Sequence, residues 1–225
     1  MTPNVSVRLF TNDQYYLDRV FYSNIYRVNE IKSGGVVIDI GAHAGYFALN
    51  SVIRGASKVY CFEPNRSNFE TLLDNLRPIK DSCQAHNFGV LFDSQFLKFE
   101  IPKFNENKYF DFANIPIADP ASTSTEVSPV FKLDSILTDV VSENKIALLK
   151  INLGGDNECE VLKSSNYLNC IDSICGLTRA TSSEMDLLIS HLNVQGFKPV
   201  LINTLEDGET LFIFSKPESS VTFNI

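Results

Sequence analysis

Two acidic residues stand at the ends of consecutive branched-apolar runs, Asp39 in "VVIDIGAHAG" and Glu63 in "VYCFEPN". Each run reads as a strand buried on both faces, so each acid is delivered to the point where a strand gives way to a turn. Between them lies the glycine turn Gly41-Ala42-His43-Ala44-Gly45, which leads into the apolar-periodic stretch from Tyr46 to Arg54. Gly41 permits a sharp turn and the close approach of a ligand, and Gly45 lets the following helix pack tightly. The turn lacks the Gly-Lys-Ser/Thr of a P-loop and the third glycine of the dinucleotide fingerprint. Asp39 at its mouth would repel a pyrophosphate and attract an ammonium group. Glu63 is placed to accept hydrogen bonds from ribose hydroxyls. S-adenosylmethionine (SAM), with a positive amino-acid part and a nucleoside part, suits both carboxylates; the plain alternative is a tight turn in a sheet that holds no cofactor.

The elements that must position these acids are legible in outline. The runs "GVVIDI", "KVYCFE", "QAHNFGVLF", "IALLKINL", "IDSICGLT", "FKPVLIN" and "TLFIFSK" alternate with helical periodicity over Tyr46–Arg54, Asn68–Arg77, Glu158–Leu168 and Glu184–Val194. That alternation predicts an α/β fold, a mostly parallel sheet with helices on both faces. Ser67 and Glu70 have capping-box spacing. "FLKFEI" reads as a short antiparallel hairpin attachment, and "EDG" at 206–208 as the turn joining two antiparallel strands. Residues 1–35 hold a tyrosine-rich helix from about Tyr15 to Ile31, an N-terminal cover over the strand ends or a sheet edge. Residues 117–130, "IADPASTSTEVSPV", read as a flexible loop, either a lid or a surface excursion.

In order along the chain, "VVIDIGAHAGYFAL", "VYCFEPNRSNFETLLDNL", "NFGVLFD", "KLDSIL" and "ALLKINLGG" resemble the FkbM-type methyltransferases, over about residues 12 to 215. The resemblance implies the Rossmann-like class I methyltransferase fold, a seven-stranded sheet with its last strand antiparallel. It also implies SAM as cofactor and O-methylation of sugars or other small hydroxylated molecules. Carried over position by position, Asp39, Gly41, Ala42 and Gly45 form the methionine-side loop and Glu63 the ribose acceptor, with Asn65, Asn87 and Phe88 near the adenine.

Methyl transfer to a hydroxyl needs an aligned acceptor and a base for its proton. The FkbM pattern ends its fourth strand in Lys-Ile-Asp-x-Glu-Gly, whereas this chain reads Lys150-Ile151-Asn152-Leu153-Gly154-Gly155, losing both carboxylates. Two readings follow. In one, an active enzyme uses Lys150 and Asn152 on the acceptor and Asp156 or His43 as base, with Glu158 as a further carboxylate able to turn toward the site. In the other, the fold has lost catalysis and serves as an assembly component, with or without SAM. His43 also reads as an ordinary loop residue, and Lys150 as a solubilising strand end. A NAD-dependent oxidoreductase is disfavoured by the missing glycine and by Asp39.

Composition sets the outer bounds. With 225 residues, 44% hydrophobic, the expectation is one domain, 1–225. A net charge of -8 argues against a nucleic-acid partner. Five cysteines without a CxxC pair read as thiols in a reducing compartment, with no metal site. No apolar run spans a bilayer, and the polar start lacks a signal-peptide pattern, so a cytoplasmic location and no membrane partner are expected. A small-molecule or glycan acceptor is the expected partner; "FYSNIY" and "VTFNI" leave room for a homo-oligomer or an assembly partner.

Overall fold

The computed structural model describes residues 5–9, 11–102, 123–141 and 145–225. Its first half runs α1 (Asp13–Phe21), β1 (Val28–Ile31), β2 (Val36–Ile40), α2 (Tyr46–Ile53), β3 (Lys58–Phe62), α3 (Arg66–Leu76), β4 (Cys83–His86), β5 (Gly89–Leu91) and β6 (Gln95–Pro102). The second half runs β7 (Thr123–Lys132), α4 (Leu133–Ser135, widening into a π turn over Ile136–Val141), β8 (Ile146–Ile151), α5 (Asn157–Ser164), β9 (Ile171–Thr178), α6 (Ser182–Val194), β10 (Lys198–Thr204), β11 (Thr210–Ser215) and β12 (Val221–Phe223).

Seven strands form the central sheet in the order β10-β11-β9-β8-β2-β3-β4. Four of its pairings are parallel, and β11 runs antiparallel to both β9 and β10. The last strand of the sheet is therefore the antiparallel one, as the resemblance implies, and the turn at 206–208 joins it to β10. The parallel strands are buried throughout because both faces are covered: β8 and β9 are buried at every position. Ile38, Tyr60, Leu149 and Phe212 pack with α5 and α6 on one face. Val37, Cys61, Leu148 and Ile213 pack with α1, α2 and α3 on the other. Phe197, Phe212 and Phe214 are fully buried, each contributing roughly 1.5–3 kcal/mol of transfer free energy.

Three expectations are corrected. The N-terminal helix ends at Phe21, because Asn24 and Arg27 take positive φ (45° and 56°) and turn the chain into β1, which pairs with β12. Ser67 is not a helix cap: it lies inside α3, and the cap is Asn65, whose side chain accepts from the Asn68 N–H at 2.9 Å. A capping box is present instead at Thr181 and Glu184, at the start of α6. The 117–130 stretch is divided, since Thr123–Lys132 is a strand between β5 and β6, while 117–122 lie outside the described residues. Its proline is tolerated because β5 reaches only Val130, leaving Pro129 with one strand neighbour, opposite Phe96. The expected attachment at "FLKFEI" is β6, antiparallel to β7. Among the described residues, no helix is long and apolar enough to cross a membrane.

Candidate functional site

The carboxyl ends of β2, β3, β8 and β9 share one edge of the sheet, where ligands of doubly wound folds bind. Strand order reverses between β2, which continues outward to β3 and β4, and β8, which lies on its other side. The turn after β2 is held from β3: the N–H groups of Gly41 and Ala42 both donate to the Phe62 carbonyl, at 3.0 and 3.1 Å. A Cβ on Gly41, at φ 72°, would overlap the Asn152 carbonyl, so the close approach that demands glycine is that of the β8 loop. Gly45, at φ 82°, faces Leu72 and Leu76 of α3, as helix packing requires.

Asp39 lies beneath this turn, fully buried, with its register partner Lys150 on β8 beside it. Lys150 Nζ is 2.9 Å from Asp39 Oδ1, and it donates to the Gly41 carbonyl at 2.7 Å and the Ile40 carbonyl at 3.3 Å. The rings of Tyr26 and Phe47 lie 5.6 and 5.8 Å from the ammonium. Burial opposes charge on Lys150, yet the Asp39 carboxylate holds its pKa above the ordinary value. The attraction that the sequence offers to a ligand ammonium is thus met by one from the chain, and Lys150 is neither a surface solubiliser nor directed at an acceptor. Asp39 Oδ2 has no hydrogen-bond partner among the described residues.

Glu63, at 6% exposure, stands just past β3. Its Oε2 accepts from the His43 N–H at 2.8 Å, and its Oε1 from the Asn65 N–H at 2.9 Å and Asn68 Nδ2 at 3.3 Å. Burial pushes its carboxyl above the usual range against these donors. Asn87 donates to the Glu63 and Pro64 carbonyls, at 2.9 and 3.2 Å, and Phe88 packs on Phe62 and Phe131. The two therefore flank the Glu63 loop.

The proposed acceptor residues disperse. Asn152 turns inward, donating to the Tyr26 hydroxyl at 3.1 Å and accepting from Gly154 N at 3.1 Å. Asp156 is exposed at the start of α5. Glu158 is fully buried under the β8 loop, where its Oε1 accepts from Leu153 N at 2.6 Å and burial raises its carboxyl to about 7. His43, in the left-handed region at φ 51°, packs its ring 4.7 Å from that of Tyr16 and holds Nε2 3.7 Å from Asp13 Oδ1. Within "KLDSIL", Asp134 is structural, anchoring Ser165 Oγ and Asn166 N after α5.

The sequence suggested α1 as a cover over the strand ends or a sheet edge, but not that its side chains line a cavity. With Arg179 after β9 and the β10–β11 turn, α1 borders an open cavity of about 310 Å³ lined by Asn12, Tyr15, Tyr16, Arg19, Asp207 and Glu209. Arg19 pairs with Glu209 at 2.7 Å and with Asp207 at 3.6 Å, and it also meets the Tyr15 hydroxyl at 2.9 Å. The cavity borders the glycine turn through Tyr16, which packs on His43, and the β8 loop through the Arg179 N–H on the Gly155 carbonyl at 2.7 Å. The only sequence signal for it is tyrosine and arginine on one side of α1.

A sheet of this order, with its glycine turn and paired acids at the switch point, defines a class: the class I methyltransferase fold. No family model matches the chain, and no curated protein sequence does. Among solved structures it is similar to TrmK of M. capricolum in complex with S-adenosyl-homocysteine, at 12% identity over 88% of this chain and 69% of that one, with a TM-score of 0.53. The methyltransferase FkbM of Methylobacillus flagellatus shares 15% identity over 89% of this chain and 47% of that one, with a TM-score of 0.52. An rRNA methylase of Streptococcus thermophilus shares 9% over 88% and 95%, at 0.51. At these identities the likeness is one of fold.

Proposed function

We propose that the chain is a SAM-dependent methyltransferase that methylates a hydroxyl of a sugar or other small hydroxylated acceptor. The observation that carries this reading is Glu63, a carboxylate held by the glycine turn and the start of α3 with acceptor capacity to spare. A carboxylate offers about four acceptor positions, and three are filled, which leaves one for a ribose hydroxyl. Asp39, fully buried against Lys150, supports the turn from beneath and does not face the methionyl ammonium. SAM, when bound, supplies a methyl group on a sulfonium. The protein's own tasks are to bind, orient, exclude water and accept a proton.

The cavity under α1 suits the acceptor. Arg19 and Arg179 balance Asp207 and Glu209 in formal charge, so an uncharged polar molecule is favoured over a phosphate or an amine, and two tyrosine rings offer apolar faces. Although one similar structure is an rRNA methylase, a net charge of -8 and this balanced cavity favour a small acceptor over a polyphosphate strand. His43 is our choice for the proton, since it belongs to the glycine turn and its ring packs on Tyr16 of the cavity wall, with Nε2 3.7 Å from Asp13 Oδ1. Lys150 and Asn152 then act by holding the turn and the β8 loop.

The test is transfer of a labelled methyl group from SAM to a panel of uncharged pyranosides and polyols. Wild-type protein is expected to label a member of the panel, and His43→Ala to slow transfer by about 100-fold or more. A protein that binds SAM yet labels none of them would overturn the small-acceptor reading.

A further inference from the structure

We propose that Asn68, held in turn by Arg8 of the N-terminal segment, is a positioning residue that fixes the Glu63 carboxylate so that it recognises one ribose hydroxyl and not the other. The inference rests on the cofactor reading above and deepens it.

Glu63 Oε1 has both of its acceptor positions filled, by Asn65 N and Asn68 Nδ2, and Oε2 has one filled by His43 N. The remaining position is on Oε2. The two backbone donors hold one oxygen each, and the Asn68 amide takes the position on Oε1 that a second ribose hydroxyl would need. Asn68 itself cannot turn over. Its Oδ1 accepts from Arg8 Nη2 at 2.7 Å while its Nδ2 faces Glu63. A flipped amide would set its NH2 against the guanidinium and its oxygen against the carboxylate, so charge at both ends selects one orientation. Burial to 3% exposure strengthens that selection.

Arg8 is fixed as firmly. It grips Asp13 with three bonds, Nε and the backbone N–H to Oδ2, each at 2.9 Å, and Nη2 to Oδ1 at 2.7 Å, and Asp13 is fully buried. Its Nη1 donates to Ser67 Oγ at 2.9 Å, so the guanidinium ties the N-terminal segment to the first turn of α3. The series Asp13, Arg8, Asn68, Glu63 and His43 closes on itself where His43 Nε2 approaches Asp13. Two of these links are local, Arg8 to Asp13 and Asn68 to Glu63, each spanning five residues; the others are long-range, with Arg8 and Asn68 60 residues apart. The N-terminal segment thereby sets the geometry of Glu63 through Asn68.

The experiment is calorimetric titration with S-adenosylhomocysteine and its 2′-deoxy and 3′-deoxy analogues, using the wild type, Asn68→Ala, Arg8→Met and, as a control on the same helix, Arg66→Ala. In the wild type, removing one of the two hydroxyls is expected to weaken binding about tenfold or more, and removing the other by less than about threefold. Asn68→Ala and Arg8→Met should bring the two analogues to within about threefold of each other, and Arg66→Ala should leave the wild-type ratio in place. A merely structural role would weaken all three ligands by a common factor; unchanged ratios in Asn68→Ala and Arg8→Met would overturn the proposal. Equal losses for both analogues in the wild type would do the same. A folded wild type that binds none of the three would instead bring down the cofactor reading, and this inference with it.

Discussion

Replacing Lys150 with methionine would remove the ammonium from a pair in which both partners are buried, the side chains of Lys150 and Asp39 being 4% and 0% exposed. Methionine retains most of the stem that packs near Tyr26 and Phe47, so the loss is electrostatic more than steric. Asp39 would be left without its counter-charge, and the carbonyls of Gly41 and Ile40 would lose a donor. Breaking a buried pair from one side costs about 3–5 kcal/mol. The deficit should also depend on pH. With the ammonium gone, burial raises the folded-state pKa of Asp39 further above its unfolded value of 3.8, so the folded form holds its proton longer. The variant's stability therefore falls as pH rises through that window, and its deficit is larger at pH 8 than at pH 5. Urea unfolding of Lys150→Met, Asp39→Asn and the double variant at both pH values measures this, and the double variant should recover most of the loss. A single variant costing less than about 1 kcal/mol, or a double variant no better than the single one, would refute the reasoning.

Other expectations follow from the same geometry. Glu158 has a folded-state pKa of about 7 against 4.5 unfolded, so it favours the folded state at low pH and costs stability as pH rises from 4.5 through 7. Glu158→Gln should match the wild type near pH 4 and exceed it by up to about 3 kcal/mol at pH 8 in thermal or urea unfolding; parallel pH curves would contradict this. Thr181→Ala should cost about 1 kcal/mol by losing the cap of α6, while Ser67→Ala, inside α3, should lose no cap and cost less. Gly41→Ala should fail to reach the native fold or lose several kcal/mol in urea unfolding, because its Cβ would meet the backbone of Asn152.

The sheet was legible because its signal is local. Branched-apolar runs at strand length marked six of the seven strands, while "QAHNFGVLF", read as one strand, divides into β4 of the central sheet and β5 of the three-stranded one. What the acids at the ends of β2 and β3 touch was not legible. Asp39 and Lys150 meet only through the register of β2 against β8, across more than a hundred residues, so the sequence showed one carboxylate in need of a cation and one lysine at a strand end. Arg8, Asp13 and Arg19 gave no motif at all, since their partners lie on α3, the glycine turn and the β10–β11 turn. The misplaced cap at Ser67 has a different cause: Asn65 and Ser67 both suit a cap, and the bond from Asn68 N to Asn65 decided between them. Strand β7 was hidden by serine, threonine and proline, which read as loop until Ser128 and Val130 are seen to be buried.

The central claim is that Glu63 is the ribose acceptor of a SAM site. Its most direct test is calorimetric titration of wild type and Glu63→Ala with S-adenosylhomocysteine, with circular dichroism to verify that both are folded. The account expects micromolar binding, about -8 kcal/mol, by the wild type, and a loss of tenfold or more in the variant. A folded wild type that does not bind, or a Glu63→Ala protein that binds equally well, would contradict it.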